Sequence, residues 1–301
     1  MGFRPPSEKF VNFEVRPDDA YLITFPKSGT TWMKEILSLI RNGGDVDALK
    51  GTSIDMSIPQ LEFVVTDFPG KDKVSEMLDI TPDISLTSME SPRLLCTHLD
   101  YTSLPTQLQG NKKAKIIYLA RNPKDVAVST YYFEKLLAQQ QLIKSGKTYD
   151  YFSDYVVDFV NDLANSWGAY SGMHWHDHAM EFWRRRHDEN VLFLKYEDMH
   201  KDIRSTISAI ATFLDVVLEE KSLDAIVANT SFEASKKNLR TLRAKYCKYR
   251  LGVDPETQSP FVRKGKVGGW KEYFTVADNE MFDAKYREWM KDSELEFDFE
   301  L

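Results

Sequence analysis

The sequence predicts an α/β fold: a central parallel sheet flanked by helices, with a phosphate-binding loop after the first strand. Apolar runs recur along the chain and several lead into helical patterns, which is typical of parallel strands covered on both faces. The first run is followed by a Lys-Ser-Gly-Thr-Thr loop and an amphipathic helix, the usual order of an anion-binding strand, loop and helix. The length of 301 residues fits a single domain spanning 1–301.

Four apolar runs are the predicted strands, at residues 21–25, 93–97, 115–120 and 191–196. A helix is expected from Thr31, because the apolar residues that follow share one stripe. This stripe consists of Trp32, Met33, Ile36, Leu37 and Ile40. After the third strand, Asn122 can cap a second helix that begins with Pro123.

A third helix is predicted from about Asp202 to Leu214. Between these elements, residues 42–58, 138–147 and 241–266 lack clean periodicity and are rich in polar, glycine or basic residues. We expect them to be long surface loops, which often form lids or ligand walls.

Composition limits the classes of function. The net charge of −7 argues against bulk electrostatic binding to nucleic acid or to an anionic membrane. Two cysteines, Cys96 and Cys247, suit a reducing compartment. The N-terminal residues show no signal peptide and no apolar run is long enough to cross a bilayer, so a cytoplasmic location is predicted.

The loop at residues 27–31 lacks the glycine that precedes the lysine in nucleoside-triphosphate loops. The first N–H groups of the following helix and the positive end of its dipole favour an anion there. Lys27 adds a positive charge, and Thr30 and Thr31 add hydroxyl donors. Gly29 lets the backbone approach a ligand closely. The alternative is an ordinary turn in which a threonine caps the helix, but the loop's position directly between strand and helix favours phosphate binding.

Two further segments have the composition of anion sites. Arg121 ends the third strand, and Ser129 lies four residues after Asp125 on the following helix, so a guanidinium and a hydroxyl can hold a second phosphate. Residues 261–271 combine cations with glycines, which suits a loop that wraps an anion. The alternatives are a capped surface helix with an incidental arginine, and a solvated charged loop. Three separate anion sites imply a ligand with more than one phosphate-like group.

Together these motifs resemble those of the cytosolic sulfotransferases, which transfer a sulfuryl group from 3′-phosphoadenosine-5′-phosphosulfate (PAPS) to a hydroxyl or an amine and release PAP. The resemblance extends from residue 21 to about residue 280. It implies that the 5′-phosphosulfate binds Lys27, Ser28, Gly29, Thr30 and Thr31. It implies that the 3′-phosphate binds Arg121, Ser129, Arg263, Lys264 and Gly265. The implied adenosine contacts are Trp32, Tyr196, Thr230 and Phe232.

The resemblance also implies a catalytic base in the segment Arg-Leu-Leu-Cys-Thr-His-Leu-Asp, residues 93–100. His98 matches the base, and an imidazole suits this role because its ordinary pKa lies near neutral pH. Lys27 is expected to stabilise charge on the departing phosphate oxygen, and Ser129 to steer the Lys27 ammonium before the acceptor binds. No metal is expected. A lone histidine at a strand end would otherwise be a structural residue.

Two residues depart from the family pattern. Cys96 stands where the family usually has a lysine that helps to neutralise the sulfuryl oxygens, and the loss of one such cation costs about 10²–10³ in rate by analogy with an oxyanion-hole donor. Either activity is weak or another cation substitutes. Asp100 stands where the family usually has proline, and the hypothesis is that its carboxylate lines the acceptor wall and favours a basic acceptor.

Other residues have weaker signals. Phe25 and Phe133 match acceptor-pocket positions of the family. A short homodimer motif of the family matches Lys271, Thr275, Val276 and Glu280, although Thr275 and Asp278 also loosely resemble a helix-capping box. The alternating histidines His174, His176 and His178 suggest metal binding, but a structural or acceptor-lining role is the better interpretation because a helix or loop is expected there.

The sequence therefore predicts a PAPS-dependent sulfotransferase acting on a small, mostly apolar alcohol, phenol or amine. Two alternatives stay open. One is a non-catalytic relative that binds PAPS or PAP, suggested by Cys96 and Asp100. The other is a small-molecule kinase, which the missing Gly-Lys-Ser/Thr order disfavours.

Overall fold

Four parallel strands form the central sheet. A computed structural model describes residues 8–50, 52–65, 86–110, 113–139, 149–161, 174–238 and 263–301. Its strands are β1 (Ala20–Thr24), β2 (Leu94–Thr97), β3 (Lys115–Ala120) and β4 (Val191–Lys195). Their order in the sheet is β2-β1-β3-β4, and every neighbouring pair is parallel. The carboxyl ends of all four strands therefore meet at one edge, where ligands bind in open parallel sheets.

Helices follow or connect these strands. Those in the N-terminal part are α1 (Glu8–Val11), α2 (Thr30–Arg41), α3 (Ile54–Ser57), α4 (Leu61–Val65), α5 (Pro123–Gln139) and α6 (Phe152–Val160). Those further along are α7 (Trp175–Trp183), α8 (Tyr196–Lys201), α9 (Ile203–Phe213), α10 (Glu220–Asn229), α11 (Phe232–Lys237) and α12 (Val276–Met290). Three short 3₁₀ helices lie at Asp47–Leu49, Tyr101–Ser103 and Gly269–Glu272.

The sheet separates two apolar cores because side chains alternate between its faces. On β1, Tyr21 and Ile23 pack into the core that includes α5, α6, α7 and α12. Leu22 packs into the opposite core, which is built from α2, α9 and α10. The predicted parallel sheet with helices on both faces is confirmed.

Most predicted elements agree with the structure within one residue. Asn122 accepts a hydrogen bond from the amide of Asp125 and begins α5 as expected (2.9 Å). The prediction of a surface loop at 42–58 is wrong in part: the segment holds a 3₁₀ helix and α3, and Leu49, Ile54 and Ile58 are buried. A helix of four residues is too short to show a hydrophobic periodicity, so the sequence pattern does not reveal it. Of the other two predicted loops, residues 140–147 and 241–262 lie outside the described residues.

At the amino-terminal edge of the sheet, a buried ion pair joins the residue before β2 to the residue before β1. The Arg93 guanidinium donates to both carboxylate oxygens of Asp19, at 2.7 and 2.6 Å. It also donates to the carbonyl oxygens of Leu86 and Glu14, and Tyr21 donates its hydroxyl proton to Asp19. Within the part of the chain described, no helix is long and apolar enough to cross a membrane.

Candidate active site

The loop between β1 and α2 has a left-handed backbone at two positions. The φ angle is 68° at Lys27 and 107° at Gly29, the residue that precedes α2. A Cβ atom at Gly29 would lie 2.6 Å from the ring of Tyr196, so only glycine fits this turn. Ser28 is fully buried, and its hydroxyl oxygen has no hydrogen-bond partner among the described residues. A buried hydroxyl left in this way suits a bound ligand oxygen.

His98 follows β2 and is hydrogen-bonded to the end of β1. Its Nδ1 lies 2.8 Å from the carbonyl oxygen of Thr24 and 3.0 Å from the hydroxyl of the same residue. The Thr24 hydroxyl in turn lies 2.7 Å from that of Thr30, in the first turn of α2. The carboxylate of Glu62 accepts the backbone N–H of His98 at 2.6 Å. The imidazole is thus joined to the anion-binding loop by two hydroxyl groups.

These contacts determine the tautomer of His98. A carbonyl oxygen can only accept, so Nδ1 carries the proton and Nε2 is left with a lone pair. Burial, together with the positive charges of Lys34 and Lys27, lowers the pKa of His98 to about 3. The ring is therefore neutral at physiological pH, and Nε2 can accept a proton.

His178 on α7 packs behind His98. Its Nε2 lies 3.1 Å from the carbonyl oxygen of His98, and its Nδ1 lies 2.8 Å from the hydroxyl of Tyr118. Because the carbonyl accepts, Nε2 donates and the Tyr118 hydroxyl donates to Nδ1. Burial lowers the pKa of His178 to about 4. Of the three alternating histidines, this one braces the backbone of His98, and no cluster of metal-binding side chains occurs among the described residues.

Lys27 of the loop contacts Phe133 of α5. The Lys27 ammonium sits 4.1 Å from the centre of the buried Phe133 ring, a cation–π contact. Phe25, the other predicted acceptor residue, is buried with its ring edge-on to His178 at 5.7 Å. Ser129 lies on α5, half-buried, four residues before Phe133.

Arg121 lies between the loop and the segment before α12. It donates to the carbonyl oxygens of Lys27 (3.3 Å) and Lys266 (3.1 Å), and its guanidinium stacks on the Tyr196 ring at 4.2 Å. Its buried Nε has no hydrogen-bond partner among the described residues. Asp125 fixes the other side by accepting the N–H groups of Gly268 and Trp270. The second and third predicted anion sites therefore meet in space.

Two aromatic rings are among the predicted adenosine contacts, Trp32 and Phe232. The indole N–H of Trp32 donates to the carbonyl oxygen of Thr230 at 2.6 Å, which fixes the plane of that ring. The Phe232 ring covers Gly265, where a Cβ atom would lie 2.1 Å away. Of the neighbouring cations, Arg263 donates to the hydroxyl of Tyr273 (3.0 Å) and Lys264 pairs with Glu272.

Cys96 and Asp100, the two residues that depart from the family pattern, lie in different surroundings. Cys96 is fully buried in the core on the α2 side of the sheet. The hypothesis that Asp100 lines the acceptor wall is not supported: both its carboxylate oxygens accept hydrogen bonds from Thr102 and Ser103 and begin a 3₁₀ helix. A carboxylate engaged in capping serves local structure.

A sequence model of the sulfotransferase domain matches residues 17–294. The chain belongs to the sulfotransferase family. Mouse sulfotransferase 1B1 is 38% identical over 292 residues, covering 96% of this chain and 88% of the relative. Rat sulfotransferase 1A1 is 39% identical, covering 96% and 90%, and human sulfotransferase 4A1 is 35% identical, covering 98% and 88%.

Solved sulfotransferase structures have the same fold. Retinol dehydratase in complex with androsterone and the inactive cofactor PAP superposes with a TM-score of 0.76 at 26% identity, covering 96% of this chain and 85% of that one. Mouse sulfotransferase SULT7A1 complexed with PAP gives a TM-score of 0.67 at 27% identity, covering 95% and 90%. The predicted family and enzyme class, a PAPS-dependent sulfotransferase, are confirmed.

Sequence reasoning missed several residues that hold the sulfotransferase site together. Thr24 had a local signal, since it ends the strand that enters the loop. Glu62 and Glu197 had none, because they reach His98 and Asn122 from distant segments.

Proposed function

We propose that this chain transfers the sulfuryl group of PAPS to the hydroxyl or amine of a small, mostly apolar acceptor, with His98 as general base. One observation supports this most strongly: the His98 imidazole is joined to the anion-binding loop through Thr24 and Thr30. Acceptor activation and donor binding then occur at one point of the sheet edge. We further propose that residues 1–301 form one catalytic domain.

The residues present fit a PAPS molecule. The buried hydroxyl of Ser28 and the buried Nε of Arg121, for which no partner occurs among the described residues, are donors suited to phosphate oxygens. The loop also lies at the N-terminus of α2, where the helix dipole favours an anion. When bound, PAPS supplies the activated sulfuryl group. Lys27, Ser28, Gly29, Thr30 and Thr31 would hold its 5′ end.

The remaining nucleotide contacts follow the same geometry. Arg121 and Ser129, with Arg263, Lys264 and Gly265, would hold the 3′-phosphate, because Arg121 already bridges the two segments that carry these residues. Trp32 and Phe232 would enclose the adenine, with Tyr196 and Thr230 beside them. Aromatic faces suit a purine because both are flat and polarizable.

The side chains around the loop can then take separate roles in the transfer. Nε2 of His98 would take the proton of the acceptor when its oxygen or nitrogen forms the new bond to sulfur and the bond from sulfur to the 5′-phosphate breaks. The Lys27 ammonium, which lies over Phe133, would stabilise the charge left on the phosphate oxygen of PAP. Ser129 would steer that ammonium. Phe25 and Phe133 would line an apolar acceptor pocket, which agrees with the androsterone and retinol bound by retinol dehydratase.

The second candidate is a protein that binds PAPS or PAP without turnover. The observation that favours it is Cys96, which is buried in the core and supplies no cation to the sulfuryl group. Purified protein with PAPS and a panel of phenols, alcohols and amines separates the two candidates. Turnover supports the enzyme, whereas a rise in melting temperature with PAP and no product from any acceptor supports the binding protein.

The base is tested by His98→Gln. We expect kcat to fall by about 10²–10⁴, the usual contribution of a positioned base, while PAP still raises the melting temperature. His187→Gln is the matched control, because His187 is exposed on the segment after α7. Equal activity of the His98→Gln and His187→Gln variants would reject His98 as the base.

The proposal includes a cytoplasmic location and a homodimer. Lys271, Thr275, Val276 and Glu280 are all exposed around the start of α12, and Val276 is 77% exposed. Thr275 and Asp278 form a full capping box there, so these residues also begin α12. Val276→Glu should convert a dimer to a monomer in sedimentation. A wild-type monomer at micromolar concentration would reject the dimer.

A further inference from the structure

The side chain of Tyr273 lies among the cations proposed for the 3′-phosphate, although neither the sequence motifs nor the family resemblance includes it. Arg263 donates through Nη1 to the hydroxyl oxygen of Tyr273 at 3.0 Å. The Lys264 ammonium lies 4.7 Å from the centre of the Tyr273 ring. Two residues proposed to hold the 3′-phosphate therefore contact one tyrosine, to which the proposed function gives no role.

Contacts with α5 fix the backbone that carries Tyr273. Asp125 of α5 accepts the N–H of Trp270 at 2.9 Å, in the 3₁₀ helix that precedes Tyr273. The N–H of Tyr273 in turn donates to the carbonyl oxygen of Trp270 at 2.9 Å. The chain thereby returns to Arg263 after 10 residues. The tyrosine is thus anchored to the helix that also carries Ser129.

The Arg263 guanidinium lies against two aromatic rings. It is 5.1 Å from the centre of the Tyr132 ring and 5.5 Å from that of Tyr273. The two rings contact each other edge to face at 5.1 Å. Tyr132 lies three residues after Ser129, on the same face of α5. The rings therefore hold Arg263 beside the hydroxyl that is proposed to bind the 3′-phosphate, and its buried Nε has no hydrogen-bond partner among the described residues.

The hydrogen bond between Arg263 and Tyr273 leaves the phenol able to bind an anion. A guanidinium can only donate, so the Tyr273 oxygen accepts this bond. The proton of the phenol is then directed to another group. A phosphate oxygen is a strong acceptor, and charge-assisted hydrogen bonds of this kind are short and strong. The guanidinium and the phenol can therefore bind the same phosphate group together.

We propose that the Tyr273 hydroxyl is a further ligand of the 3′-phosphate: it accepts a hydrogen bond from Arg263 and donates its proton to a phosphate oxygen. The inference rests on the proposed PAPS site. The phenol adds a neutral donor of fixed direction to the flexible cations of this segment. It thereby helps to distinguish a nucleotide with a 3′-phosphate from one with a free 3′-hydroxyl.

A competing explanation comes from the preceding residue. The Glu272 carboxylate pairs with Lys264 and with Lys266, so ion pairs inside the segment also hold it in place. Tyr273 could serve the same purpose and never touch a ligand. The two neighbours differ in chemistry, since Glu272 brings a negative charge that repels a phosphate, whereas Tyr273 brings a donor that binds one.

Tyr273→Phe tests the inference because it removes the hydroxyl and keeps the ring, with its contacts to Tyr132 and Phe152. Calorimetric titration compares PAP with adenosine 5′-phosphate, which lacks the 3′-phosphate. We expect PAP to bind roughly 10-fold more weakly, as for the loss of one hydrogen bond to a charged group. Adenosine 5′-phosphate should bind as it does to the wild type. Equal losses for both nucleotides, or no loss for either, would overturn the inference.

Glu272→Gln is the control for the competing explanation. It weakens the two ion pairs of the segment and removes no phosphate donor, so it should not reduce the affinity for PAP. If it weakens PAP as much as Tyr273→Phe does, a loosened segment explains the loss and the inference is wrong. Tyr101→Phe is the matched control for the hydroxyl: the Tyr101 ring also stacks on an arginine, Arg185 at 3.5 Å, on the segment after β2. It should leave both affinities unchanged.

The same titrations separate this inference from the proposed function. A wild type that binds PAP no more tightly than adenosine 5′-phosphate overturns the proposed 3′-phosphate site, and the inference with it. A wild type that prefers PAP, with the preference unchanged in Tyr273→Phe, overturns the inference alone. In turnover, Tyr273→Phe should raise the KM for PAPS and leave kcat nearly unchanged, because uniform binding of the donor is lost. A fall in kcat at unchanged KM would contradict a role at the 3′-phosphate.

Discussion

The two edges of the sheet differ in whether their buried polar groups have hydrogen-bond partners. At the amino-terminal edge, Arg93 and Asp19 satisfy each other and accept or donate four further hydrogen bonds with Leu86, Glu14, Tyr21 and Arg16. At the carboxyl edge, Ser28 and Arg121 keep donors without partners among the described residues, and Lys27 and Gly29 have left-handed backbone. The paired groups of the amino-terminal edge contribute to the stability of the fold. At the carboxyl edge, the strained backbone and the donors without partners suit the binding of a ligand.

Arg93→Met gives the largest expected effect on this comparison. It leaves Asp19 buried with a charge and no guanidinium, so the free energy of unfolding should fall by about 3–5 kcal/mol. Urea unfolding measures this. The control is Arg204→Met, which removes an exposed pair with Asp224 and Glu220 and should change the free energy of unfolding far less, because solvent screens exposed charges. Equal costs for the two variants would contradict the structural role of Arg93.

The pH dependence of stability tests the carboxyl edge. His98 and His178 have folded-state pKa values of about 3 and about 4, below the ordinary 6.5. The unfolded chain binds more protons than the folded one below pH 6.5, so stability is complete above that pH and is lost as the pH falls towards 4. Each histidine contributes up to about 1.4 kcal/mol per pH unit. Chemical unfolding between pH 7 and 4.5 measures the slope.

The control for this slope is His178→Gln. It should flatten the pH dependence, whatever its effect at pH 7, because one of the histidines whose pKa burial lowers most is gone. A slope that does not change would show that His178 is protonated in the folded protein.

Gly29→Ala examines the strained turn. A left-handed alanine costs about 1–2 kcal/mol, and its Cβ would also strike the Tyr196 ring, so the rise in melting temperature with PAP should disappear. Gly43→Ala is the matched control: its φ is also positive, at 59°, but no atom lies within 4 Å of the added Cβ. Gly43→Ala should lose similar stability and keep its response to PAP. If PAP no longer raised the melting temperature of either variant, backbone strain alone would explain the loss, and contact with Tyr196 would not be needed.

Ser28→Ala has the smallest expected effect. Its hydroxyl has no partner in the described residues, so stability without nucleotide should not fall, whereas PAP should bind up to about 10-fold more weakly, as for one lost hydrogen bond. Ser103→Ala should lower stability and leave PAP affinity unchanged, because its hydroxyl donates to Asp100 in the 3₁₀ helix after β2. Calorimetric titration with PAP and thermal unfolding give the two readings, and unchanged PAP affinity of Ser28→Ala would remove Ser28 from the site.

Local patterns predicted much of this molecule. The order of β1, loop and α2, the cap of Asn122 on α5, and the span of α9 depend on residues within one turn or one strand of each other, so periodicity and capping rules were enough. Segment 42–58 was misjudged because α3 is four residues long and its buried side depends on distant partners. Asp100 was misjudged because a carboxylate can cap a turn or face a ligand, and the sequence is the same in both cases.

The sequence alone determined the family, the parallel sheet and the residues of the phosphate loop, because strand–loop–helix geometry places neighbouring residues in a fixed order around an anion. Only the tertiary structure decided which distant groups surround His98. Glu62 and His178 reach it from segments 36 and 80 residues away, and no spacing rule relates them to it. The chemistry of a base depends on the charges and acceptors packed against it, and packing is a property of the folded chain.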